Sequence, residues 1–196
     1  MKNKIIFPSI LIAIMLGVMV LSNLNIGNSS NSIVESTDVT SAEIVYMYLS
    51  MAGSRQGDIE GSVTTVDHEG SIEVYAYTHS IISPRDPTTG LVTGKHQHKP
   101  FTVIKPIDKA TPLLYSALST SETIKEWKLD FYRTTSTGTV ENFYTIELTN
   151  AVISEISDKG SSYGTTQSVS FVYQKISWTW TDGNIMAEDY WKDPSV

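Results

Sequence analysis

From Ile44 to Trp191 apolar side chains keep returning at every second position, and that spacing restricts the chain to strands with one dry and one wet face. Trp127, Leu129 and Phe131 point one way while Glu126, Lys128 and Asp130 point the other. Val45, Met47 and Leu49 alternate in the same manner against Tyr46 and Tyr48. Further strands are expected over Ile59–Val66, Ile72–Thr78, Phe101–Lys105, Phe143–Ile156 and Val169–Trp180. Turns fall at Gly53–Gly57, Asp67–Gly70, Thr134–Thr139 and Gly160–Gly164. In the last of these strands apolar residues occupy both phases, with Val169, Phe171 and Tyr173 on one and Val172, Ile176, Trp178 and Trp180 on the other. That strand is expected at the centre of a sheet or under a partner subunit.

One helix interrupts the strands. Thr111 can cap it, Pro112 has the φ of a first helical residue, and Leu113, Leu114, Ala117 and Leu118 fall on one face. Antiparallel strands at short spacing with a single lateral helix predict a mainly β domain over 44–191, a two-sheet β-barrel or sandwich, with no parallel βαβ unit. The chain has no cysteine, so packing alone must hold this domain together.

Ahead of it, Lys2 and Lys4 precede a largely apolar run from Ile5 to Leu24, and no charge returns before Glu35. Residues 1–27 therefore read as a hydrophobic helix that is either an uncleaved membrane anchor or a cleaved signal peptide. The run is near the length that spans a bilayer, but Pro8, Ser9, Gly17, Ser22 and Asn23 dilute it and no clear small-residue cleavage site follows. In both cases the two lysines stay inside and the remainder lies outside the cytoplasm, secreted or anchored. Residues 28–43, rich in Asn, Ser and Thr, read as a flexible tether.

Charge excludes one class of partner. The net formal charge is −7, and without Lys2 and Lys4 the chain carries 12 cationic against 21 anionic side chains, so nucleic acid would be repelled. Catalysis finds little support either. Asp67, Glu69 and Glu73, or Glu188 and Asp189, could supply paired carboxylates, but they lie in turns or near the chain end, where such pairs are usually solvated. No serine sits in a nucleophile-elbow pattern. His96 and His98 share one face of an extended segment and could bind a metal if a third ligand arrived, for which His68, His79 and Asp67 are the candidates. Loop packing or subunit contact is the simpler reading of that pair, so the expectation is no metal, no cofactor and no enzyme. Tyr75, Tyr77, Trp178 and Trp180 could form a carbohydrate platform, although core packing explains them more simply.

Several segments in order resemble the haemolysin-coregulated protein (Hcp) family, the tube component of type VI secretion systems. They are Ile59–His79, Gly94–Phe101, Ile107–Leu114, Phe131–Arg133, Val169–Ile176 and Trp178–Trp191. The resemblance implies a β-barrel with a helix on its side, six copies closed into a ring, and rings stacked into a hollow tube able to carry small secreted effectors. It also implies that the long loop Ser83–Lys99 reaches a neighbouring subunit or ring, through Pro84, Arg85, Thr89, Leu91, Lys95, His96 and His98. The N-terminal segment departs from the family, whose typical members lack a classical export signal. The alternative is an anchored or secreted β-sandwich that binds carbohydrate or another surface.

Overall fold

The computed structural model describes residues 44–162 and 164–191. The expected N-terminal hydrophobic segment and the tether over 28–43 lie outside the described residues. Among the described residues no helix is long and apolar enough to cross a membrane.

Over the described residues the chain is mainly β, a curled antiparallel sheet with one helix. Its elements are β1 (Val45–Gly53), β2 (Gly57–Asp58), β3 (Ile72–Val74), β4 (Ala76–Thr78), β5 (Ile81–Ile82), β6 (Gln97–His98), β7 (Phe101–Pro106), α1 (Thr111–Ser119), β8 (Thr123–Thr134), β9 (Val140–Thr149), β10 (Ala151–Ser161), β11 (Gly164–Val172), β12 (Lys175–Trp180) and β13 (Ile185–Tyr190). The pattern predicts a two-sheet barrel or sandwich; among the described residues hydrogen bonding joins eleven strands into one curled sheet, beside a two-stranded ribbon of β5 and β6.

A bent hairpin explains the continuity. β9 pairs with β12 and β10 pairs with β11 in one unbroken register, from Tyr144 opposite Trp180 to Val152 opposite Val172. The chain turns a corner between the two halves at Asn150, whose φ is 51°. Asn150 donates its side-chain amide to Gln174 Oε1 at 2.6 Å, and the Gln174 backbone N–H donates to Thr149 O at 3.0 Å. The same long hairpin therefore serves both layers, and the sheet curls without breaking. The corner also resets the side-chain phase. Val169, Phe171 and Tyr173 face the core before it and Ile176 after it, whereas Val172 and Trp178 are half-buried and Trp180 is exposed. The two apolar phases of this stretch are thus mainly one inward face shifted at a bend.

β8 behaves as its alternation predicts, with Ile124, Trp127, Leu129 and Phe131 buried against β1 and β9. Trp127 meets Phe101 and Phe171 edge-on, at centroid distances of 5.1 and 5.5 Å. Ile59–Val66 is not a strand. Ile59 still donates its N–H to Met51 O of β1 at 3.0 Å, but beyond it the hydrogen bonds close within the loop that follows, Gly61 N–H to Gly70 O and Val63 N–H to Ser71 O, so the pairing with β1 stops there. The 72–78 run is split at Tyr75, because β3 pairs with β1 and β4 crosses over to β7.

Helix α1 starts as Pro112 requires, but Thr111 is its first residue and not its cap. The Thr111 hydroxyl instead accepts from the Asp108 N–H and the Lys105 ammonium and can donate to Gln167 Oε1. Leu114 and Ala117 are buried, Leu118 is half-buried, and Leu113 remains exposed at the rim of the face.

After the helix, Glu122 is 3% exposed, and its carboxylate accepts the backbone N–H groups of Arg55 and Gln56, closing the turn after β1. The Arg55 bond, then the Gln56 bond, holds its carboxyl below the ordinary value of 4.5. A carboxyl depressed on folding stabilises the fold above its unfolded pKa and loses that contribution as pH falls through the folded value. Urea midpoints of the parent should therefore drop below about pH 4.5 more steeply than those of Glu122→Gln, which has no proton to gain. Parallel curves would show that this carboxylate does not set the acid sensitivity.

Candidate functional site

The long loop after β5 is an ordered arm. The Ile81–His98 and Ile82–Gln97 pairs form its root, and an isolated bridge joins Arg85 to Val92 further out. The tip is fixed by Asp86, whose carboxylate accepts the Thr88 and Thr89 N–H groups at 2.9 and 2.7 Å and the Thr89 hydroxyl at 2.9 Å. Those bonds, that from the Thr89 N–H foremost, hold the Asp86 carboxyl below its usual range. Gly90 supplies the left-handed φ of 72° that lets the chain return, and Arg85 Nη1 donates to Gly90 O at 3.1 Å. This is local turn chemistry that needs no contact with the core.

The arm carries apolar side chains into solvent. Leu91 is 69% exposed and Val92 58% exposed. Of the residues expected to make subunit contacts, Arg85, Thr89, Leu91, Lys95 and His96 are exposed and Pro84 is half-buried. His98 differs, because it turns inward at the arm's root and is only 5% exposed.

The root is built around Tyr173. Its hydroxyl lies 2.9 Å from His98 Nδ1 and 2.9 Å from His79 Nε2. Burial pushes the Tyr173 phenol well above its ordinary range, chiefly by desolvation and then through the Asp189 charge. Both imidazoles are lowered, His79 by burial and then by His98, and His98 by burial against the opposing pull of Asp189. Trp191 stacks on His98 at 5.7 Å and meets Tyr173 edge-on at 5.1 Å.

Asp189 is the residue that sequence reasoning did not bring to this cluster. It lies 3.0 Å from His96 Nε2 and 3.3 Å from His98 Nε2, whereas the suggested donors His68 and Asp67 sit elsewhere. Alternation along β13 separates the acidic pair, since Glu188 bonds Lys175 at 3.0 Å while Asp189 turns to the histidines. Asp67, Glu69 and Glu73 are all exposed.

Two further surfaces flank the domain. A groove of about 540 Å³ is lined by Tyr46, Tyr48, Val66, His68 and Tyr132, with His68 stacked on Tyr48 at 4.3 Å. At one end of the sheet β13 pairs only with β12 among the described residues, and its Ile185 and Met186 are 68% and 59% exposed. The aromatics assigned to the core are mostly at its margin: Tyr75, Tyr77 and Trp180 are exposed and Trp178 is half-buried. Tyr77 still stacks on Phe101, and the Arg133 guanidinium lies over Phe143 and Trp180, so packing holds these rings without enclosing them.

The profile of the family described as type VI secretion system effector, Hcp, matches residues 48–180. The chain belongs to the Hcp family. A curated relative, the major exported protein of Pseudomonas aeruginosa, is 35% identical over 164 residues, covering 75% of this chain and 95% of its own. Among solved structures, a variant of an Hcp protein from E. coli EAEC 042 superposes with a TM-score of 0.72 at 34% identity, over 76% of this chain and all of that one. A secreted Hcp protein from Pseudomonas aeruginosa superposes with a TM-score of 0.65 at 31% identity, again over 76% of this chain and 100% of its own. The β domain of this Hcp protein thus spans the whole length of both solved relatives.

Proposed function

We propose that this Hcp protein is a structural subunit and not an enzyme, closing six copies head to tail into a ring and stacking rings into a hollow tube. The observation that carries the reading is the family match over 48–180, in a domain that spans the full length of solved Hcp chains. Physical features support it. A head-to-tail contact joins two different faces of the subunit, and β13 offers an edge that pairs with no further strand among the described residues, with exposed Ile185 and Met186 on it. The arm supplies an ordered apolar projection at Leu91 and Val92, where a stacked ring would meet it, together with Pro84, Arg85, Thr89, Lys95 and His96. The lumen of such a tube is where small effector cargo would travel. Residues 1–27, as anchor or signal, place the assembly outside the cytoplasm, with 28–43 as its tether to 44–191.

Mass photometry and negative-stain images of residues 42–196 expressed alone should show six-subunit rings and stacks of them. Leu91→Asp should leave the rings intact and abolish the stacks, because an exposed carboxylate would have to be desolvated in the contact. If Leu91→Asp stacks like the parent, the arm is not the inter-ring contact. A folded domain that stays monomeric at high concentration and retains glycans would favour the binding-module alternative, for which exposed Tyr75, Tyr77 and Trp180 with half-buried Trp178 would be the platform.

A further inference from the structure

We propose that His96, His98 and Asp189 form a binding site for a divalent transition-metal ion of the zinc class, with three protein ligands and a fourth position open to solvent, clasping the root of the arm to β13. The three candidate donor atoms lie within 4.8 Å of one another. His96 Nε2 and His98 Nε2 are 3.0 and 3.3 Å from Asp189 Oδ2. Ligand bonds of about 2.0–2.1 Å at tetrahedral angles place neighbouring donors roughly 3.3 Å apart, so both Asp189 separations already suit one ion, and the two imidazole nitrogens, within 4.8 Å of each other, would close on it by rotation of the exposed His96 ring.

The buried member of the set shows why packing alone is an incomplete account. The His98 side chain is fully buried, yet its Nε2 makes no well-formed hydrogen bond, with Asp189 Oδ2 standing 3.3 Å away. The ring's other nitrogen is occupied by the Tyr173 hydroxyl, which can accept from His98 Nδ1 and pass its own proton toward His79 Nε2. In that tautomer His98 Nε2 carries a lone pair on the Asp189 side of the ring, which an ion would use. A metal-ligating histidine characteristically has its second nitrogen tied in this way, which fixes both tautomer and ring orientation. Two imidazoles and one carboxylate suit zinc, cobalt or nickel better than the hard cations calcium and magnesium, which prefer all-oxygen shells.

The outer side of the cluster is accessible. His96 and Asp189 side chains are 47% and 31% exposed, while Trp191 stacks against the His98 ring. Water or another small ligand can complete the shell there. Because His96 and His98 belong to the arm and Asp189 to β13, an ion would lock the arm's direction against the sheet.

Isothermal titration of the full chain, stripped with EDTA and kept in mild detergent, should give a saturable one-to-one heat with ZnCl2 and none with MgCl2. Co2+ in place of Zn2+ should produce the visible bands of tetrahedral coordination. His96→Ala removes an exposed ligand with little risk to folding, and Asp189→Asn is the second variant; each should weaken Zn2+ binding by at least about tenfold, the lower end of what losing even an outer-shell partner costs. His68→Ala, outside the cluster, should bind as the parent does. Absence of saturable Zn2+ heat, or binding that survives both ligand substitutions undiminished, overturns the proposal.

Discussion

Lys105→Met is expected to destabilise the domain by about 3–5 kcal/mol, the usual cost of removing one partner from a buried ion pair. Lys105 has no exposed surface, and its ammonium donates to Pro106 O and Asp108 Oδ1 at 2.7 Å and to Thr111 Oγ1 at 3.1 Å, with Gln167 Oε1 at 3.4 Å. One cation thereby joins the end of β7, the entry to α1 and the middle of β11. Methionine fills the same volume but leaves the Asp108 carboxylate buried with only the Ala110 N–H, at 3.1 Å, to satisfy it. Urea unfolding followed by tryptophan fluorescence measures the loss. The double variant Lys105→Met/Asp108→Leu should recover part of it, since the uncompensated charge is gone. A single variant within about 1 kcal/mol of the parent would show that the pair contributes no more than an exposed ion pair does.

Lys105 also marks the boundary of what the sequence discloses. Its neighbours Asp108 and Thr111 are a few positions away and could be suspected from spacing, but Gln167 reaches the site only through the register of β11 on β7. The same distinction runs through the molecule. The alternation of β8 is local, and its inward residues are legible one by one. The corner at Asn150 is not, because a phase shift looks in sequence like apolar residues on both faces until the 2.6 Å Asn150–Gln174 bond shows where the hairpin bends. The arm could have been read further than as a loop, since Asp86, Pro87 and Gly90 carry the chemistry of a defined turn. His96 and His98 announce themselves by spacing. Asp189 does not, since ninety-one positions separate it from His98 and only the pairing of β12 with β13 delivers it. The helix was placed by Pro112, while the role of Thr111 depended on a buried lysine that no capping rule anticipates.

Gly61→Ala should cost roughly 3 kcal/mol or more, the upper end for overpacking a closed site. A Cβ at this position would stand 2.3 Å from Ser71 O and 2.5 Å from Ile72 Cα, which are backbone atoms and have no rotamer to yield. Ile72 is itself fully buried at the start of β3, so the loop must lift and not the strand. Lifting it breaks the 2.7 Å bond from Gly61 N–H to Gly70 O and draws His68 away from its contacts with Tyr48 and Tyr132, at 4.3 and 4.4 Å. The variant should therefore lose stability and, in the molecules that remain folded, shift the His68 ring resonances, reporting that the groove beside β1 has opened. Gly57→Ala provides the comparison. Gly57 has a φ of 71° but nothing within 4 Å of its would-be Cβ, so its cost is the conformational one alone, about 1–2 kcal/mol. If the two alanine variants unfold at the same urea concentration, close approach of backbone to backbone is not what makes glycine necessary at position 61, and the loop that lines the groove is less firmly seated than its hydrogen bonds imply.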